Sequence, residues 1–295
     1  MENTYIIDGL QRISSYLHFR GELEADHLDP KINKGEYLRL SECDVVPELN
    51  GLVFDQLPTA LQIRLKRAFV RVEVVRKGSD TNLKYHMFKR LNVGGRLLSE
   101  QQVRNCTIRL LSNGFADFIN RLSENVSFRR CIGIITDEQQ LASFDQELVL
   151  RFFAIKNSIH TFKHDVSDFL TEYMEMVTLG NTPFDYNKQE EEFVAVFSLL
   201  AETLGEQAFG QVDRKTMQIR RGFSVYHFEG ISGGVCRALS LLKVDDAIWK
   251  ERFRSRLEEL KKDDRFITIT TGGGRNSPGS LRQRVEFIES ALKAL

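Results

Sequence analysis

The chain has 295 residues, 42% of them hydrophobic and 28% charged, with 41 basic side chains against 41 acidic ones. That length can bury a sizeable core and hold one large domain or two small ones. Zero net charge argues against a strongly basic nucleic-acid binder, and no apolar run approaches the ~20 residues needed to cross a bilayer.

No leader pattern precedes the first apolar run, so a cytoplasmic protein without a membrane partner is expected. Cys43, Cys106, Cys131 and Cys236 are scattered with no CxxC pair, which suits reduced thiols and not a zinc or disulfide frame. The charge is unevenly placed. Arg76 to Arg130 carries eleven Lys/Arg against four Asp/Glu, whereas Asp137 to Glu192 carries four against twelve. One half could face phosphate while the other repels it, or both runs are ordinary solvated helix faces.

In chain order, Thr4 to Ile7 reads as a short strand. A helix opens at Asp8 or Gly9, with Leu10, Ile13 and Tyr16 or Leu17 on one face at buried-stripe spacing. Gly21 to Asn50 reads as a loop broken by Pro30, Gly35 and Pro47. Short strands are predicted at Tyr37–Leu40 and Leu52–Phe54. Pro58 suits the first turn of a helix to about Ala68. Phe69 to Val75 alternates with a period of two, the strongest strand pattern in the chain.

After Gly78 the pattern becomes helical. Asp80 can cap a helix to Leu91, Asn92-Val93-Gly94-Gly95 breaks it, and Ser99 with Gln102 forms a capping box for the next. Further helices are predicted at Ala116–Leu122, Glu138–Lys156, Val166–Val177, Lys188–Ala208, Val235–Leu242, Asp245–Lys261 and Ser280–Ala294. In the second of these, Leu141, Phe144, Leu148, Phe152 and Ile155 line one face. The expected fold class is α+β: a small mixed sheet in residues 1–112 and a mainly helical domain in 113–295.

Three segments could carry chemistry. In Asp8-Gly9-Leu10-Gln11-Arg12 a strand, glycine turn and helix start would aim backbone N–H groups and a guanidinium at one place, which suits a phosphate. Arg12 in a first helical turn opposes the helix dipole unless an anion is bound there. Asp8 could cap the helix or orient a ribose, water or metal, and Gln11 could donate to a phosphate. The plainer alternative is a capped turn with Arg12 paired to a carboxylate. In the second segment, Gly94-Gly95 after Asn92 permits close backbone approach to a nucleotide, or forms a helix–loop–helix corner. The third, Thr270 to Ser280, is glycine-rich and precedes Arg282 and Arg284. It lacks the Lys-Ser/Thr end of a P-loop and reads better as an interhelical loop than as a phosphate cradle. His160 and His164 have i, i+4 metal spacing with Asp165 and Asp168 nearby, although a solvated helix end explains them as well.

The Asp8–Arg12 turn and the later Phe88-Lys89-Arg90-Leu91-Asn92-Val93-Gly94-Gly95-Arg96-Leu97-Leu98-Ser99-Glu100-Gln101-Gln102-Val103-Arg104-Asn105 occur in the order of two family hallmarks, (I/V)DGxQR and F-x-R-L-N-x-G-G-x-x-L-S-x-x-E/Q-x-R-N. Together they resemble the N-terminal domain of the GmrSD-type restriction endonucleases. The resemblance implies a ParB/sulfiredoxin-like core for the sheet. It implies a nucleoside triphosphate bound and hydrolysed to control cleavage of foreign or modified DNA, with a divalent metal compatible. By the same resemblance Asp8 and Arg12 would be catalytic, and Gly9, Gln11, Asn92, Gly94 and Gly95 would bind the nucleotide. Expected partners are DNA and a nuclease-domain protein, in a dimer or hetero-oligomer.

Members of that family also carry a QR-x-Y-x-W element upstream of the turn, for which Met1 leaves no room. Either the start is internal or part of the site is missing. The second case predicts weak hydrolysis by this chain alone. The alternative function is a non-catalytic DNA-sensing or regulatory subunit that keeps the fold.

Overall fold

The chain divides into two units, Met1–Leu91 and Asn92–Leu295. The computed structural model describes residues 9–26, 28, 30–70, 98–109, 111–163, 165–242, 246–272 and 276–295.

In the first unit, helix α1 runs Leu10–Phe19 and α2 Thr59–Lys66, the latter entered through Pro58. Between them the chain forms turns, with short 3-10 segments at Pro47–Leu49 and Phe54–Gln56. A small core of Phe19, Phe54 and Leu57 holds the unit, surrounded by Leu40, Leu49, Leu52, Leu61 and Leu65. The Phe19 and Phe54 rings meet edge to face at 5.5 Å. Tyr16 Oη donates to the Leu65 carbonyl at 3.1 Å, tying α1 to α2.

The expected α+β architecture is corrected here. Helix makes up 66% of the described residues and strand 2%, with no sheet. Tyr37–Leu40 and Leu52–Phe54 do approach one another, through Leu40 N–H to the Leu52 carbonyl at 2.9 Å and Gly51 N–H to the Leu40 carbonyl at 2.8 Å. The pairing cannot grow into a ladder. Gly51 is left-handed at φ 82°, and 3-10 turns close off the chain on both sides. Phe69 and Val70 are exposed and outside any strand, so alternation there is not matched by pairing. The predicted strand Thr4–Ile7, the rest of Phe69–Val75 and the helix Asp80–Leu91 lie outside the described residues.

The second unit is helical among its described residues. Its helices are α3 Glu100–Arg109, α4 Gly114–Ser123, α5 Val126–Ile132, α6 Asp137–Leu141 and α7 Phe144–Ser158, then α8 Val166–Thr178 and α9 Tyr186–Thr203. They continue with α10 Val225–Ala238, α11 Ala247–Lys262, α12 Asp264–Thr270 and α13 Pro278–Lys293. Local caps start many of them. Asp165, Asp185, Asp246 and Asp263 each accept first-turn N–H groups, as do the hydroxyls of Thr136 and Ser277.

Helix α7 is the centre. All eight residues from Leu148 to Ile155 are buried, so it is apolar almost all round, and α4, α8 and α10 pack on it. The single helix predicted over Glu138–Lys156 is two, because Ser143 takes a left-handed φ of 56° and turns the chain. Leu141, placed on the buried face by periodicity, is consequently exposed. The core around α7 is strongly aromatic. Phe193 lies 4.5 Å from Phe197 and 5.3 Å from Phe152, ring to ring. Cys131 and Cys236 are free thiols whose pKa values burial pushes up to about 12, which leaves them unreactive.

Helix α10 begins ten residues before its predicted start at Val235. Gly230, Gly233 and Gly234 lie inside it and serve close packing against α13. A Cβ on Gly234 would lie 2.6 Å from Ile288 Cβ and 3.0 Å from the Glu289 nitrogen. Neither is a flexible side-chain end. Gly234→Ala should therefore lose about 1–2 kcal/mol net, overpacking outweighing the ~1 kcal/mol gain in helix propensity. A thermal melt checks this, and a variant melting at or above wild type would mean that the two helices part at little cost.

Candidate functional site

Gly9 precedes α1 in a left-handed conformation, φ 94° and ψ 4°. A side chain would be strained there, and glycine also supplies no capping group of its own. The Ile13 N–H closes the first helical bond onto the Gly9 carbonyl at 3.0 Å. A Cβ at Gly9 would sit 3.5 Å from Arg12 Nη2, so the guanidinium folds back beside the turn. The first turn holds no acidic residue, and Gln11 and Arg12 are both exposed. The turn thus presents a helix N-terminus, a guanidinium and a neutral amide together, a combination suited to an oxyanion. Leu10 and Ile13 are also exposed, so the expected apolar stripe buries only from Tyr16 onward, fully at Phe19. Asp8 lies outside the described residues, as do Asn92, Gly94 and Gly95.

The described end of the second motif is a packing hub. Ser99 and Gln102 form the predicted capping box: Ser99 N–H to Gln102 Oε1 at 2.8 Å, Gln102 N–H to Ser99 Oγ at 3.1 Å. Both side chains also reach α6 and the residue after it, Ser99 Oγ to the Ala142 carbonyl and Gln102 Nε2 to the Leu141 carbonyl, each at 2.6 Å. Asn105 Nδ2 donates to Gln146 Oε1 at 2.6 Å. Arg104 is buried. It donates to Ser167 Oγ at 2.8 Å, Thr171 Oγ1 at 3.1 Å and Glu147 Oε2 at 3.4 Å, joining α3 to α7 and α8. These side chains position helices.

From Arg104 a ladder of alternating charge crosses the unit. Glu147 Oε1 takes Arg151 Nη2 at 2.8 Å, Glu229 Oε1 takes Arg151 Nη1 at 2.6 Å, and Glu229 Oε2 takes Arg284 Nη2 at 2.5 Å. Glu229 and Arg284 are each only 1% exposed. Burial works against the charge on Arg151, but Glu229 and then Glu147 outweigh it, so its pKa is raised. Motif reading missed Arg151 and Glu229. The available signal was a charge inside an apolar run, as in Leu148-Val149-Leu150-Arg151-Phe152-Phe153.

In the third segment Thr270 is buried, its hydroxyl donating to the Phe266 carbonyl at 2.7 Å, while Arg282 is half-buried. His160 is exposed in a 3-10 turn, Asp165 caps α8, and His164 lies outside the described residues. Among the described residues no group of three or more His, Cys, Asp or Glu could hold a metal ion. Among them, too, no helix is long and apolar enough to cross a membrane. No family model, no curated protein and no solved structure matches the chain.

Proposed function

We propose that this is a nucleotide-binding protein of prokaryotic, cytoplasmic defence, similar in role to the GmrSD-type N-terminal domain, which couples nucleoside triphosphate binding to cleavage of foreign or modified DNA by a partner nuclease. The observation that carries the reading is the left-handed Gly9 turn with the Arg12 guanidinium folded beside the start of α1. The order of the two motifs supports it. In this reading Arg12 neutralises phosphate charge, Gln11 and the first-turn N–H groups orient it, and Gly9 allows close approach. Asp8, Asn92, Gly94 and Gly95 enter through the resemblance alone, as do a divalent metal and hydrolysis. Ser99, Gln102, Arg104 and Asn105 are engaged in packing, which favours binding and regulation as the second reading, with little turnover by this chain alone.

Calorimetry with ATP, GTP, CTP and UTP tests the reading. Arg12→Ala should weaken binding by about 1.5–3 kcal/mol while changing stability by less than about 1 kcal/mol, the scale of an interaction made by an exposed side chain. Equal affinity in wild type and variant would remove Arg12 from the site.

A further inference from the structure

The second unit contains a cavity of ≈ 660 Å³ between the start of α10, residues Thr270, Thr271, Gly272 and Asn276, and the segment that holds Gln211. That volume suits a ligand of nucleotide size. Among the described residues no carboxylate lines it. Ser224 caps α10 weakly, its Oγ accepting the His227 N–H at 3.5 Å, and the first helical residues Val225 and Tyr226 form part of the wall. The first turn of this 14-residue helix holds no acidic residue.

Arg151 supplies a cation to the same wall. It is 9% exposed, both Nη atoms are held by carboxylates, and its Nε is buried with no hydrogen-bond partner among the described residues. At the rim a second cation, the exposed Arg214, donates to Thr271 Oγ1 at 3.2 Å. Thr271 and Asn276 border the opening with neutral polar groups. The apolar share of the wall comes from Val166, Val225 and the Tyr226 ring, which the Arg284 guanidinium backs at 4.5 Å. A helix N-terminus, two guanidinium groups, hydroxyls and amides, with no carboxylate among the described lining residues, select a tetrahedral oxyanion, and the volume leaves room for an organic group.

We infer that this cavity is a second ligand site, independent of the Gly9–Arg12 turn, which binds a small phosphate ester of nucleotide size. The phosphoryl group sits against the start of α10 and Arg151, and the organic part lies toward Val166 and Tyr226. Arg214 and Thr271 form the entrance.

The test is a titration of the full chain with AMP, inorganic pyrophosphate and adenosine, in the wild type, Arg12→Ala, Arg214→Glu and Asn276→Asp. Arg214 and Asn276 are exposed, so melting temperatures verify that their variants fold. AMP binding should survive Arg12→Ala and fall at least 10-fold in Arg214→Glu and Asn276→Asp, with adenosine silent. Pyrophosphate binding as tightly as AMP would make the phosphoryl group the whole recognised part, and tighter AMP would add the organic part. Both results support the site. AMP binding lost in Arg12→Ala and intact in both rim variants would confine the nucleotide to the turn and overturn the inference. No AMP or pyrophosphate binding in the wild type would overturn it as well.

Discussion

Glu229→Gln should destabilise the second unit by about 3–5 kcal/mol, the cost of breaking a buried ion pair from one side. Glu229 holds Arg151 and Arg284 through separate oxygens at 2.6 and 2.5 Å, with 1% exposure. Glutamine keeps one acceptor but turns an amide toward a guanidinium and removes the charge that offsets desolvation. Arg151 retains Glu147, and Arg284 keeps a long bond to the Ile269 carbonyl at 3.4 Å. The double variant Glu229→Met with Arg284→Met should recover part of the loss, because neither member of that buried pair is then left facing an apolar replacement. Urea melts of the singles and the double measure the coupling. A Glu229→Gln protein as stable as wild type would mean that the ladder is not formed in solution.

Lys261→Met should stabilise the protein at neutral and lower pH by roughly 2–5 kcal/mol, the scale of burying one ammonium. Lys261 is fully buried on α11, and its Nζ donates to the Gln207 carbonyl. Burial lowers its pKa from 10.5 to about 7. Between those values the unfolded chain holds a proton that the folded chain has released, so stability rises with pH there. The contribution is lost as pH falls from 10.5 through 7 and is absent below. His227 acts in a lower window. Burial, then the Lys261 charge, lowers its pKa from 6.5 to about 3, so its contribution is present above 6.5 and lost as pH falls toward 3. Methionine at 261 removes the alkaline slope, and the Gln207 carbonyl keeps the Gly210 N–H at 3.3 Å. Denaturation at pH 6, 8 and 10 reads both effects. A variant less stable than wild type at all three would show that the Nζ–carbonyl bond outweighs the burial cost.

Where local chemistry decides, the amino-acid sequence was sufficient. The Ser99–Gln102 capping box needs only a hydroxyl and an amide three residues apart, and it forms as read. Helices α8 and α11 begin within two residues of their predicted starts because Asp165 and Asp246 cap them through adjacent N–H groups. The left-handed Gly9 before α1 and the guanidinium of Arg12 beside it are equally local, four residues of one turn. The geometry of this turn was therefore legible before any fold was known.

Tertiary structure decided the rest, because each remaining feature depends on a partner distant in the chain. A strand needs an edge to pair with, and Leu40 exchanges only two backbone hydrogen bonds, with Leu52 and Gly51, before the left-handed Gly51 turns the chain. Gly230, Gly233 and Gly234 are breakers in an isolated helix, yet they lie inside α10, where α13 approaches them closely, most tightly at Gly234. Arg151 and Glu229 stand 78 positions apart, and Glu229 and Arg284 55. No short-range pattern marks such pairs. Their charges are tolerated inside only because packing brings each carboxylate between two guanidinium groups, and that same packing opens the cavity beside α10.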